Sequence, residues 1–293
     1  MQIEEVGIIG TGDMGMLYAK GFAKTGLRVN CCDLPQNREK LEQNLAGTKV
    51  NILDDGIAVS RRSDLIFYLV PVEDLGKTIT QYGPSTRRNA IVSSGASVMT
   101  PAILAFEKDL PNDASIINWH FLAAPSVPLE DMDSALVNHR SDPQSYQRMR
   151  DAIDSMGLRS TIELPSYQVH DKITADTQAV THVGFEALGA AWITRGIFPW
   201  EDPTYVGGID NVKVLMCLRI YGGKPHVYSG LAIYNPYAGE QIQQYAESES
   251  ELFGLMIQGR DGAREFRQRI DKANKAIFND DNSPILLYQT QNN

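Results

Sequence analysis

The chain has 293 residues, 43% of them hydrophobic and 22% charged, which is room for two domains and excludes wholesale disorder. A net charge of -9 argues against nucleic acid as the main partner, because phosphate binding needs a basic face. Three cysteines, Cys31, Cys32 and Cys217, cannot build a disulfide framework, so a reducing, cytoplasmic setting is expected.

In chain order, "MQIEE" is acidic rather than the basic start of a signal peptide, and it runs directly into "EVGIIG", an apolar strand ending in glycine. The helical stretch "MLYAKGFAKTG" follows, closed by Gly26. "LRVNCCD" reads as a second strand, "SDLIFYLVP" as a third, "NAIVSSG" as a fourth and "SIINWH" as a fifth. "SALVNH" and "STIEL" continue the sheet after an irregular segment. This alternation predicts a parallel, doubly wound α/β sheet with its ligand at the carboxyl ends of the strands. After "ELPSY", helical periodicity takes over in "HDKITADTQAVTHVGFEALGAAWI", "NVKVLMCLRIYG", "AGEQIQQYAESESELFGLMIQG" and "AREFRQRIDKANKAIF". The expected organisation is a Rossmann domain over residues 1–166 and an all-α domain over residues 167–293, frayed at "QTQNN". No apolar run is long enough to cross a bilayer, so no membrane partner is expected.

Gly10, Gly12 and Gly15 form GxGxxG between the first strand and a helix. The first glycine allows the tight turn, the second the approach of a diphosphate, and the third close helix–strand packing; the helix start adds partial positive charge. Glycines also serve ordinary turns, but here the strand before and the helix after complete the context. The whole turn, Gly10, Thr11, Gly12, Asp13, Met14 and Gly15, is the candidate cofactor cradle. Asp33 ends the second strand, where a ribose partner belongs. A carboxylate there favours NAD and repels the extra phosphate of NADP, unless Arg38, Arg61 or Arg62 offsets it. On physics alone the cofactor preference stays open.

Chemistry is expected where strands end. Ser97 follows the fourth strand in "SSGAS" and His120 ends the fifth in "NWH", both over the carboxyl edge of the sheet. A histidine there suits polarising a hydroxyl and taking its proton while hydride leaves the same carbon; the bland alternative is a hydrogen-bonded structural residue. His139 and His226 receive no role. In "HDKITADTQAVTH", Thr174, Gln178 and His182 recur at fourfold spacing, a polar stripe where a core helix would carry Leu or Val. It faces either a ligand or a polar interface, with Asp171 free to serve as a cap. No metal is implied, since HExxH and CxxC spacings are lacking and nothing completes a site begun by "HD" at 170.

"VGIIGTGDMGMLYAKGF", "HDKITADTQAVTH", "NVKVLMCLRIYGGKPHVYSGLAIYNP" and "SELFGLMI" resemble the prephenate dehydrogenases of tyrosine biosynthesis, most of all the NADP-linked fungal type. The resemblance runs from the first strand to about Phe278. It implies a Rossmann domain joined to a helical domain through which two subunits form a homodimer. It also implies oxidative decarboxylation of prephenate to 4-hydroxyphenylpyruvate, with NADP as cofactor. Carried over by position, it makes His120 the catalytic histidine and Ser97 the serine bonded to the same substrate hydroxyl. It gives His182 and Arg219 to the substrate, Arg219 as a carboxylate clamp, and sets Gln178 where bacterial relatives carry serine. The stripe then faces substrate.

The chain departs from that pattern at Met99, where relatives have a lysine, at Phe121, and in "LAAPSVP", which is less glycine-rich than the usual turn. Fungal relatives also continue further at the carboxyl end, and no separate chorismate mutase or regulatory domain is expected in what remains. Three rivals stand beside this reading. Arogenate dehydrogenase performs the same chemistry on the amino analogue. A hydroxyacid dehydrogenase would use a lysine on the first long helix after the sheet, for which Lys172 is available. A non-catalytic dinucleotide sensor would bind cofactor without turnover.

Overall fold

Short runs of buried apolar residues become the strands β1 (Glu5–Ile9), β2 (Arg28–Cys32), β3 (Val50–Ile52), β4 (Leu65–Tyr68), β5 (Ile91–Ser94), β6 (Ser115–Phe121), β7 (Asp133–Arg140) and β8 (Ser160–Leu164). The computed structural model describes residues 2–196, 198–201, 204, 207–208 and 210–277. The strands form one sheet in the order β3-β2-β1-β4-β5-β6-β7-β8, whose first six positions follow the Rossmann order. Every neighbouring pair is parallel except β6 and β7, which run antiparallel, so the expected parallel sheet carries one reversal. β3 was not anticipated: "VNI" is short and only partly buried, and gives no apolar run to read. His120 accordingly lies on the sixth strand, one residue before its end.

Between the strands run α1 (Asp13–Lys24), α2 (Arg38–Leu45), α3 (Gly56–Arg62), α4 (Val72–Tyr82), α5 (Thr100–Asp109) and α6 (Pro143–Ser155). After β8 the described chain is helical: α7 (Tyr167–Thr174), a π-helical turn (Ala175–Val180), α8 (Thr181–Arg195), α9 (Asp210–Tyr221), α10 (Pro225–Tyr234), α11 (Ala238–Ile257) and α12 (Arg260–Ile277). The chain divides into two compact units, residues 1–239 and residues 240–293. In the second unit Arg269 bonds Glu251 at 2.5 Å. The "QTQNN" end lies outside the described residues. No helix among the described residues is long and apolar enough to cross a membrane.

The side-chain alternation of β6 sets up the site. Ile117, Trp119 and Phe121 point into one layer of core with Tyr18, Phe22 and Phe67. Fully burying each such aromatic stabilises the fold by about 1.5–3 kcal/mol. His120, one step out of phase, is sent to the other side of the sheet, 3% exposed. There β5 and β6 also part company. Their ladder is regular only at Ile91–Ser115 and Val92–Ile116. Beyond it, side chains replace backbone partners: Ser94 N donates to Asn118 Oδ1 at 2.9 Å, and Trp119 N donates to Ser93 Oγ at 3.0 Å. The strands are bridged through side chains just where Ser97 and His120 meet.

Candidate active site

The glycine turn is built as its spacing predicts. Gly10 has φ +91°, and a Cβ there would sit 2.6 Å from the Leu69 carbonyl oxygen. A Cβ on Gly15 would lie 2.1 Å from the Gly10 oxygen, so this helix can approach its strand only with glycine at that place. At Gly12 a Cβ would meet nothing within 4 Å, which leaves open space over the turn. Gly12 caps α1 with no side-chain hydrogen bond, so the amides leading into the helix, through Asp13 and Met14, are left to an anion. These features fit the diphosphate of a dinucleotide.

Asp33 is occupied by the turn itself. Its Oδ2 accepts from Thr11 N at 2.6 Å and from Thr11 Oγ1 at 2.5 Å. Its Oδ1 accepts from Leu34 N and Asn37 Nδ2, each at 2.7 Å. Burial alone would raise its pKa, but the hydrogen bonds from Thr11, Asn37 and Leu34 prevail and hold the carboxyl below its usual value. Thr11 thus locks the turn to the second strand. Of the three arginines considered, Arg38 opens α2 and bonds Glu42 at 2.7 Å and the Leu53 carbonyl at 3.3 Å. Arg61 and Arg62 end α3; Arg87 bonds both the Arg62 carbonyl and Asp64 just before β4. They therefore lie at the edge where strands begin, away from the ligand edge. Lys224, just before α10, pairs with Asp13 at 2.7 Å and so reaches the glycine turn.

Ser97 and His120 come together as expected, with Ser97 Oγ 3.0 Å from His120 Nε2. The contact does not end there. His120 Nδ1 lies 3.0 Å from His170 Nε2, and His170 Nδ1 lies 2.8 Å from Asp171 Oδ1. His170 is 1% exposed and Asp171 fully buried. Asp171 also accepts from Met99 N, Thr100 N and Thr100 Oγ1, capping α5 rather than its own helix. Burial, reinforced by neighbouring His170, pushes the His120 imidazole well below the usual range, to about 3. It is therefore neutral at neutral pH, a proton acceptor. Met99, where relatives have lysine, is fully buried and contributes only its backbone amide. Lys172, which a hydroxyacid dehydrogenase would need, is exposed and lies 5.3 Å over the Tyr237 ring.

The polar stripe is not one face. The π-helical turn between α7 and α8 shifts the phase, and fourfold spacing no longer stacks residues. Thr174 is 2% exposed and receives a hydrogen bond from Asn235 Nδ2, which also donates to the Asp171 carbonyl at 2.8 Å. Gln178 and His182 are half-buried. The His182 ring lies 4.7 Å from that of Tyr228, and its Nδ1 has no hydrogen-bond partner. Burial, aided by the charge of Arg219, lowers the His182 pKa. Arg219 is exposed and has no carboxylate partner among the described residues. Val183, Glu186, Tyr221 and Tyr228 line an open groove of about 480 Å³ beside this group. The structure thus joins Ser97 to His120 and sets Arg219 near His182, while the α7–α8 line carries both His170 and His182.

Sequence reasoning missed His170, Asp171, Asn235 and Lys224 as parts of the site. The signal for the first two was the "HD" pair itself, set aside because no metal ligand completed it.

A family model described as "NADP oxidoreductase coenzyme F420-dependent" matches residues 5–97, and a model of the 6-phosphogluconate dehydrogenase C-terminal domain matches residues 179–291. The chain is 43% identical over 286 residues to a protein of Schizosaccharomyces pombe named as a probable NADP(+) prephenate dehydrogenase, covering 97% of this chain and 65% of the relative. It is 43% identical over 288 residues to the NADP(+) prephenate dehydrogenase of Saccharomyces cerevisiae, covering 97% of this chain and 63% of the relative. The chain thus spans just under two thirds of the length of these relatives. Among solved structures, the prephenate dehydrogenase of A. aeolicus, in complex with hydroxyphenyl propionate and NAD+, superposes with a TM-score of 0.72 at 16% identity. That match covers 93% of this chain and 96% of the other. Fold and site define a protein with a Rossmann dinucleotide-binding sheet extended by helices. Over the span it covers, the chain belongs to the same family as the fungal NADP-linked prephenate dehydrogenases.

Proposed function

We propose that this protein oxidises and decarboxylates prephenate to 4-hydroxyphenylpyruvate with NADP. The observation that carries this reading is the 43% identity to two fungal NADP(+) prephenate dehydrogenases over 97% of the chain. It is supported by the Ser97–His120 pair at the carboxyl edge of the sheet. When bound at the glycine turn, the oxidised nicotinamide supplies the hydride acceptor. His120 Nε2 takes the proton of the ring hydroxyl as hydride leaves the same carbon, and Ser97 holds that hydroxyl in line. Loss of carbon dioxide from the ring carboxylate drives its electron pair into the ring, which becomes aromatic. The oxygen then regains its proton from His120. Arg219 and His182 hold a substrate carboxylate, for which a guanidinium free of acidic partners is suited. Gln178 lines the same side.

NADP is preferred in this reading because both named relatives use it. Asp33, committed to Thr11, Leu34 and Asn37, is a weaker ribose acceptor than a free carboxylate, and Arg38 stands at the ligand edge. The protein works as a cytoplasmic homodimer through its helical part. Exposed Val212, Leu215 and Leu218 on α9, with Phe253, Met256 and Ile257 on α11, supply apolar faces for that contact. Sedimentation of the purified chain should give twice the monomer mass.

The deciding experiment follows nicotinamide absorbance with prephenate, running NADP and NAD in parallel and arogenate beside prephenate. Prephenate-dependent NADP reduction is expected. Faster turnover of arogenate would transfer the assignment to that acid, and dinucleotide binding without reduction would make the chain a sensor. Replacing His120 by Asn should cut kcat by about 10²–10⁴-fold with little change in KM, the range for a positioned general base.

A further inference from the structure

His170 and Asp171 are buried titratable groups that the proposed reaction does not use. We propose that they are positioning residues which decide which nitrogen of His120 carries its proton, keeping Nε2 free to accept one. The inference rests on the reading of His120 as the base.

The direction of every hydrogen bond follows from one carboxylate. Asp171 Oδ1 faces Met99 N at 2.8 Å and Asp171 Oδ2 faces Thr100 N at 2.8 Å. Backbone amides only donate, so both oxygens must accept, and Thr100 Oγ1 gives Oδ2 a further bond at 2.6 Å. No proton can sit on this carboxylate without displacing one of those bonds. The start of α5 offsets its charge. At 2.8 Å from Oδ1, His170 Nδ1 therefore has to donate. A neutral His170 then presents a lone pair at Nε2, and His120 Nδ1, 3.0 Å away, has to donate to it. This leaves the lone pair of neutral His120 on Nε2, where Ser97 Oγ points a hydroxyl at 3.0 Å. When Nε2 takes a proton, none of the other bonds needs to reverse.

Among the described residues no other charged side chain is bonded to the string. From α5 it meets Met99 and Thr100, from the loop after β5 Ser97, and beyond α10 Asn235. Lys172 turns to Tyr237 instead.

Nitrogen-15 NMR of the full chain, with its histidines labelled, reads the tautomer without any turnover. At neutral pH His120 should show a protonated, pyrrole-like Nδ1 and a pyridine-like Nε2. His170→Phe keeps a ring in place but removes the acceptor. It should shift His120 towards the other tautomer and lower kcat by about 10²-fold or more with KM little changed, as expected when a base loses its orienting partner. His170→Gln, whose side-chain oxygen can accept from Nδ1, should recover most of that loss and restore the tautomer. An unchanged His120 spectrum in His170→Phe, or a Gln variant no better than Phe, overturns the proposal. The two readings fail separately: full turnover in His120→Asn removes the base and the positioning role together. Loss of turnover in His120→Asn, with none in His170→Phe, removes the positioning role alone.

Discussion

Two polar clusters of the first compact unit are organised in opposite ways. Around His120 every polar side chain is buried and bonded to another, from Ser97 through His170 to Asp171. Around His182 the groups are half-buried or exposed; His182 Nδ1 has no hydrogen-bond partner and Arg219 no acidic one. The first cluster has already met the cost of desolvation and of fixing rotamers, which suits proton transfer. The second keeps its charge solvated until an anion replaces water, which suits binding. One region is finished in the free protein, and the other is completed by its ligand.

The contrast predicts different kinds of damage. The largest effect in the open cluster should come from Arg219→Gln. Losing a charge-assisted clamp should raise KM for prephenate by about 10–100-fold, with kcat nearly kept. A matching fall in kcat would place Arg219 with the chemistry instead. In the closed cluster, Asn235→Ala leaves the Asp171 carbonyl and Thr174 without their donor. It should lower unfolding free energy by about 1–3 kcal/mol in a urea titration. Acid should weaken the closed cluster as well. Folded His120 titrates far below 6.5, so the unfolded chain binds the proton first, and this contribution to stability is lost as pH falls from 6.5 towards 3. Urea midpoints at successive pH values should decline over that window, less steeply in His120→Asn. The smallest effect should be Lys224→Met. Its exposed pair with Asp13 is worth no more than about 1 kcal/mol to stability, so any change should appear in dinucleotide affinity, measured by calorimetry.

The open parts of this design were more legible than the closed ones. GxGxxG carries its own geometry, and the Ser97–His120 meeting follows from strand ends in a doubly wound sheet. His170 and Asp171 were not legible because their partners come from residues 97–120, distant in sequence. Asp171 looked like a cap for its own helix, and it does cap one, but the helix is α5. "GKPH" looked like a loop because glycines and proline cluster there, whereas Pro225 at the first position of α10 is a helix start. Thr174 was misassigned because a π-helical turn has no pattern of its own in the sequence.

That turn also acts as a phase adjuster. A π-helical turn amounts to one surplus residue in an otherwise regular winding. Excising a single residue between 175 and 180 would let the coil close up, and everything beyond would rotate by roughly 100° about the axis. The orienting imidazole at 170 would keep its place, while the imidazole at 182 would point elsewhere. The angular offset between proton handling and anion capture is thus stored in one extra peptide unit.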